Sequence, residues 1–228
     1  MTFILLHGAL GSASQLDPLI AELSAVDDLR AMEFGGHGNT PLLDRPFTIA
    51  GFVAQLAEYV DREGIERADL FGYSMGGYVA LAFALAHRER VGRIFTLGTK
   101  FTWTPEFAAR ERARLDPAVI RAKQSDLAEV LMARHAGAGG WESTLCHTAA
   151  LMQSLGDHPV LGMPELSRVE PRACLMVGDR DAMVGVGETS WASERLRAGE
   201  LAVLPGTPHP FELVDHKMLA WLITHTPK

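Results

Sequence analysis

The sequence predicts an α/β fold: an open, mostly parallel sheet of about six strands flanked by helices, carrying an all-helical lid insertion. Three observations predict it. Short apolar runs alternate with longer segments of helical period over residues 2–98. The alternation then stops, and residues 100–167 show helical patterns alone. It resumes at residue 173 and runs to a closing helix. Strand–helix alternation implies crossover units, hence parallel strands with helices on both faces.

The elements follow in order. Residues 2–6 (Thr-Phe-Ile-Leu-Leu) form a short apolar strand of the kind found inside a parallel sheet. A glycine-bearing loop leads to a helical pattern over 14–25. Residues 29–33 predict a second strand, ending in Phe34-Gly-Gly-His-Gly-Asn-Thr-Pro41. The 49–63 stretch places Phe52, Val53, Leu56 and Val60 at helical spacing. Residues 68–73, 91–98, 173–177 and 200–204 read as strands, and 76–86 and 211–224 as helices. Between them lie helical segments at 105–114, 117–124, 126–135 and 141–156, loosest at Gly137-Ala-Gly-Gly140. The expected organisation is a single domain, with residues 1–99 and 168–228 as core and 100–167 as lid.

At 228 residues the chain can bury a sizeable core, and 47% apolar with 21% charged residues is ordinary for a globular protein. A formal net charge of -7, with no Lys/Arg run, argues against a nucleic-acid partner. The first apolar run has no basic region before it and ends in His7-Gly8, unlike a secretory signal, and no stretch is long enough to span a bilayer. Cys146 and Cys174 are far apart and show no metal spacing. A cytoplasmic protein is expected, as monomer or dimer.

Chemistry concentrates around Ser74, which stands between Gly72 and Gly76 after a strand and before a helix. A serine hydroxyl is a poor nucleophile unless held out of the backbone beside a base, and a sharp strand-to-helix turn does the holding. The base is expected in His209, within Leu204-Pro-Gly-Thr-Pro-His-Pro210, because loops at the carboxyl ends of parallel strands surround the site of an open sheet. A carboxylate must fix the tautomer of that base. Either aspartate of Gly178-Asp-Arg-Asp181 could serve; a one-turn loop after the glycine favours Asp181, with Asp179 pairing with Arg180 or shaping the turn.

The order Ser74, Asp181, His209, together with His7-Gly8, Gly35-Gly-His-Gly38 and Gly72-Tyr-Ser-Met-Gly-Gly77, resembles the α/β-hydrolase family in its serine-nucleophile, esterase- and lipase-like branch. The resemblance spans nearly the whole chain apart from the lid. It implies an oxyanion hole made by the backbone amides of Ala9 and Met75. It also implies that His7 and His37 are structural. Larger members begin with two antiparallel strands; here a six-stranded sheet starting at the His7-Gly8 strand is expected. His87, His135, His147, His158, His216 and His225 form no metal-ligand pattern and are expected on the surface or in the lid. The glycines make no dinucleotide or P-loop fingerprint, so no cofactor and no metal are expected.

The expected activity is hydrolysis of a small ester or related acyl compound through an acyl-enzyme. Phe101, Trp103, Met132, Met152 and Met183 are the candidate substrate contacts, with Leu151 and Leu155 also in the roof. Methionine-rich walls adapt to varied apolar groups. Glu142, His147 and Arg134 add polarity without a basic cluster for a phosphate or di-acid. The same motifs resemble the lyase of menaquinone biosynthesis and the C–C bond hydrolases of aromatic degradation, but Tyr78 stands where the former usually has an arginine. A third class is a non-catalytic ligand-binding protein on this fold, against which an intact serine, histidine and aspartate argue.

Overall fold

The computed structural model describes residues 1–44 and 46–226; the last two residues of the expected 168–228 core segment lie outside them. Six strands form one sheet: β1 (Thr2–Leu6), β2 (Leu29–Met32), β3 (Ala68–Tyr73), β4 (Val91–Leu97), β5 (Ala173–Gly178) and β6 (Gly199–Leu204). Their spatial order is β2-β1-β3-β4-β5-β6 and every pairing is parallel. The order reverses between β1 and β3. In an open α/β sheet, such a reversal opens a crevice beyond the carboxyl ends of the two strands.

Alternation along the strands divides the interior in two. Ile4, Leu6, Leu70, Ile94, Ala173 and Leu175 face one side, where they pack with α2 (Ile49–Arg62), α3 (Met75–Ala86) and α9 (Val186–Ser193). Phe3, Leu5, Phe71, Tyr73, Phe95, Leu97, Cys174 and Met176 face the other, against α1 (Asp17–Glu22) and α10 (His216–His225). β3 and β5 are buried along their whole length, whereas the edge strand β6 alternates between exposed and half-buried positions. α3 is buried from Met75 through Ala84, a helix apolar all round at the centre of the molecule.

Between β4 and β5 the chain forms α4 (Pro105–Arg114), α5 (Pro117–Lys123), α6 (Ser125–Arg134), α7 (Trp141–Asp157) and α8 (Met163–Leu166), with no strand. Thr104 and Asp116 cap the first two through their side chains. α4 and α7 meet closely: a Cβ at Gly156 would lie 2.4 Å from the Cβ of Ala108. A separate cluster of Ile120, Leu131, Trp141 and Leu145 holds the α5–α7 region together, and Leu10 of the β1–α1 loop packs against it. At the far end, Tyr78 Oη accepts from the amides of Val160 (3.1 Å) and Leu161 (2.7 Å). Burial pushes that phenol up to about 12, so it is un-ionised.

Four segments differ from the sequence expectation. The 14–25 helix is a 3-10 turn (Ala13–Leu16) followed by the shorter α1, because Pro18 at the helix start lacks an N–H to continue the first turn. The closing helix likewise begins as a 3-10 turn, Phe211–Leu213, and restarts at Asp215, whose side chain accepts from the amides of Lys217 and Met218. α8 and α9 were not expected. α9 contains Gly187, Thr189 and Ser190, poor helix formers without apolar periodicity; the crossover between parallel β5 and β6 imposes the helix instead.

Candidate active site

The turn between β3 and α3 holds Ser74 at φ 51°, ψ −112°, and among the described residues only Leu10 shares a positive φ without being glycine. Such backbone is strained for a side chain with a Cβ and is kept only where the surroundings over-determine it. They do so here. The Ser74 amide donates to Leu97 O (2.8 Å), and Thr99 Oγ1 donates to Ser74 O (3.1 Å). Crowding explains the flanking glycines: a Cβ at Gly72 would lie 2.2 Å from Gly77 N, and one at Gly76 would lie 2.3 Å from Leu6 O.

Two contacts bring His209 to the same sheet edge. Tyr73, the residue before Ser74, donates its hydroxyl to His209 O at 2.8 Å. Gly98, the residue after Leu97, lies so close that a Cβ there would be 3.3 Å from both Asp181 Oδ2 and His209 Nδ1. Gly98 has φ +63° and was not singled out from the sequence, because a glycine after a strand is unremarkable until its neighbours are known.

His209 Nδ1 lies 2.7 Å from Asp181 Oδ2, and Asp181 Oδ1 accepts from the amides of Met183 and Val184, both at 2.8 Å. A carboxylate can only accept from the ring, so Nδ1 carries the hydrogen and Nε2 is left to take a proton. Asp181 is buried, with 2% of its side chain exposed. Asp179 is 38% exposed and lies 3.8 Å from Arg180. Of the two aspartates, Asp181 is thus the one placed beside His209.

Gly8 brings the β1–α1 loop against this turn: a Cβ at Gly8 would lie 3.3 Å from Ser74 Cβ. Ala9, Ser74 and Met75 line one cleft, and Met75 opens α3, whose amino-terminal amides favour developing negative charge. The loop continues into Leu10, at φ 57°. Arg134 Nη1 and His135 Nε2 both donate to Leu10 O, at 2.9 and 3.1 Å. Arg134 Nη2 also donates to Glu212 at 2.9 Å, three residues beyond His209.

His7 and His37 are fully buried. His7 Nδ1 donates to Gly8 O (2.8 Å), and Nε2 accepts from the Phe34 amide (3.1 Å). Burial lowers its pKa to about 4, keeping the ring neutral; His37 is held well below the ordinary value for the same reason. His135, in the 100–167 segment where the lid was expected, is completely buried, accepting from Gly38 N and donating to Leu10 O.

The walls of the cleft include Trp103, Met152 and Met183. Phe101 and Met132 are not among its lining residues. Phe101 is buried in the core, its amide donating to Glu188 Oε1 at 3.0 Å, and Met132 is 54% exposed on α6. Both departures have one cause: helical or aromatic patterning identifies a side chain's chemistry but not which face of its element meets the cleft. Thr148, Tyr78 and Ile49 also line it and were not foreseen.

A sharp strand-to-helix turn at a topological switch point, with a histidine–aspartate pair on further strand ends of the same sheet edge, defines a doubly wound α/β protein with its cleft at that edge. The chain belongs to the α/β-hydrolase fold family, whose model matches residues 2–130. It is 36% identical over 87 residues to a pimeloyl-[acyl-carrier protein] methyl ester esterase of Neisseria meningitidis serogroup B, covering 38% of this chain and 32% of that protein. It is 56% identical over 39 residues to a 2-hydroxy-6-oxononadienedioate/2-hydroxy-6-oxononatrienedioate hydrolase of Paraburkholderia phymatum, covering 17% of this chain and 14% of that protein. The alignments therefore span a third or less of these relatives. The enol-lactonase of Burkholderia xenovorans LB400 superposes with a TM-score of 0.77 at 20% identity, over 97% of this chain and 89% of that one, which shows the shared fold.

Proposed function

We propose that this protein is a serine hydrolase that cleaves small carboxylic esters or related acyl compounds through an acyl-enzyme. The single observation that carries the reading is Ser74 held at φ 51° directly after Tyr73, whose hydroxyl bonds the backbone of His209, while His209 Nδ1 lies 2.7 Å from Asp181 Oδ2. In this mechanism His209 Nε2 takes the Ser74 proton as Oγ attacks the substrate carbonyl. The oxyanion rests on the amides of Ala9 and Met75. Protonated His209, stabilised by Asp181, gives the proton to the leaving alcohol. Water then enters, is deprotonated by His209, and releases the acid from Ser74.

The helical segment at residues 100–167 serves as the lid in this reading, because α7 supplies the wall of the cleft that faces Ser74. Free cysteines at positions 146 and 174 suit a reducing cytoplasm. Among the described residues no helix is long and apolar enough to cross a membrane. Incubation with a fluorophosphonate should add one adduct mass to the wild type and none to S74A. p-Nitrophenyl acetate and butyrate should be turned over only by the wild type. A silent protein would favour ligand binding without catalysis.

A second reading applies the same residues to a C–C bond, supported by the local 56% identity to the named dienedioate hydrolase. The electrostatics of the cleft count against a dianionic substrate. Lys100, the charged residue among those lining it, is already paired with Glu188. Turnover of a dienedioate faster than of aryl esters would reverse the order of the two readings.

A further inference from the structure

The roof of the cleft is one stripe of α7: Thr148, Leu151, Met152 and Leu155, at the i, i+3, i+4, i+7 spacing of a single helix face. Three of the four are apolar. Thr148 is only 1% exposed, yet its Oγ1 has no hydrogen-bond partner, not even the carbonyl one turn back that a helical threonine commonly takes. An unpaired buried hydroxyl is unfavourable, and valine would fill the same shape without that cost. A hydroxyl kept dry on the wall of a ligand cleft is satisfied when a ligand atom meets it.

The charge of the cleft narrows what that ligand is. Lys100 Nζ bonds Glu188 and Thr102 Oγ1 and lies 4.3 Å from the centre of the Phe107 ring. Glu188 is in turn committed to Lys100, to the Phe101 amide (3.0 Å) and to Thr102 Oγ1 (2.8 Å). The ammonium is therefore neutralised inside the protein and offers little to an incoming carboxylate.

Position fixes which half of the substrate enters. The lining includes Ala9 and Met75, on the oxyanion side of Ser74, and includes neither His209 nor Asp181. The leaving alcohol must stand beside His209 to be protonated, so the cleft houses the acyl chain.

We infer that the cleft selects an uncharged acyl chain carrying one oxygen function, keto or hydroxyl, along its length, and that Thr148 Oγ1 recognises that oxygen. Thr148 is thus a specificity-determining residue, donating to a keto group or exchanging a bond with a hydroxyl. This assignment rests on the hydrolase reading of Ser74.

The test uses p-nitrophenyl hexanoate, its 4-oxo and 5-oxo analogues, and the mono-p-nitrophenyl ester of adipate, whose far end is a carboxylate. For wild type, kcat/KM for at least one oxo-ester should exceed that for hexanoate, and the adipate half-ester should be about tenfold poorer than hexanoate or worse. T148V should lower the oxo-to-plain ratio by about tenfold, because a site that has lost its polar partner no longer rewards the ligand's polar group. T148S should keep it. Comparing the ratio between proteins cancels the intrinsic reactivity of each ester, and a thermal melt checks folding. If T148V fails to fold, T148A, which also lacks the hydroxyl, carries the same ratio test against wild type and T148S. An unchanged ratio in T148V, or an adipate half-ester as good as hexanoate, overturns the assignment while leaving the hydrolase intact. No turnover of any ester with Ser74 unlabelled overturns both.

Discussion

Arg134, at the end of α6, donates to the carbonyl of Leu10 at 2.9 Å, and the same guanidinium donates to Glu212 at 2.9 Å. One side chain from the helical segment thus ties the loop that carries Ala9 to the loop that carries His209. Its fork of rigid donors suits this double duty in a way a lysine does not. Replacing it with methionine keeps the stem and removes both bonds. Because sub-ångström displacement of reacting groups is costly, R134M should lower kcat for p-nitrophenyl butyrate by about 10- to 100-fold with KM changed less than about threefold. A KM effect with kcat intact would instead make Arg134 a substrate contact.

Asp181→Asn has a specific expected defect. Its Oδ1 side already accepts from the amides of Met183 and Val184, so an asparagine keeps its carbonyl there and turns its NH₂ toward His209 Nδ1. Nδ1 must then accept, and the hydrogen moves to Nε2, the wrong tautomer to deprotonate Ser74. D181N should lower kcat by roughly 10³- to 10⁴-fold while folding normally. D179N should change it by less than about threefold. Equal losses in the two variants would refute the assignment of the carboxylate.

Gly98→Ala tests the crowding of the same pair. Its φ of +63° is unfavourable for alanine, and the new Cβ would sit 3.3 Å from Asp181 Oδ2 and His209 Nδ1. The backbone contribution alone should cost about 1–2 kcal/mol of stability, and activity should fall further than the folded fraction does. Denaturant unfolding beside specific activity separates the two effects. Activity that simply follows the folded fraction would show that the pair tolerates the methyl group.

Buried neutral histidines give an acid-side prediction. The unfolded chain protonates His7 near 6.5, whereas burial holds the folded ring at about 4. Between those values the unfolded state binds the extra proton, so stability rises with pH. The penalty is absent above about pH 6.5, grows as pH falls, and reaches about 3 kcal/mol for His7 alone below about pH 4. His37 and His135, both lowered chiefly by burial, act in the same direction. Denaturant midpoints should therefore drop already between pH 6.5 and 5, where most carboxylates are still ionised. A flat profile over that interval would mean that none of the three rings is held below its ordinary value in the folded protein.

Much of the fold was legible because the determinants are local. The strands Thr2–Leu6 and Ala68–Tyr73 are short, mostly apolar runs with no competing helical period, and their expected and observed limits coincide. Gly72 and Gly76 announce the tight turn around Ser74 because only glycine tolerates that crowding. α9 was illegible for the opposite reason: a crossover requirement, not its own residues, makes it helical, and with it arrived Glu188, the partner that neutralises Lys100.

By itself the sequence determined the alternation that makes a parallel sheet, the sharp turn at Ser74, and the chain order of serine, aspartate and histidine, since each is written in neighbouring residues. Only the tertiary structure decided which aspartate meets His209, which residues of 100–167 face Ser74, and that Arg134 reaches Leu10 across 124 residues of chain. Those relations depend on which faces of separate elements are packed together, and packing is settled by the whole core at once. Met132 and Met152 are alike in the sequence; the fold alone turns one to solvent and the other into the cleft.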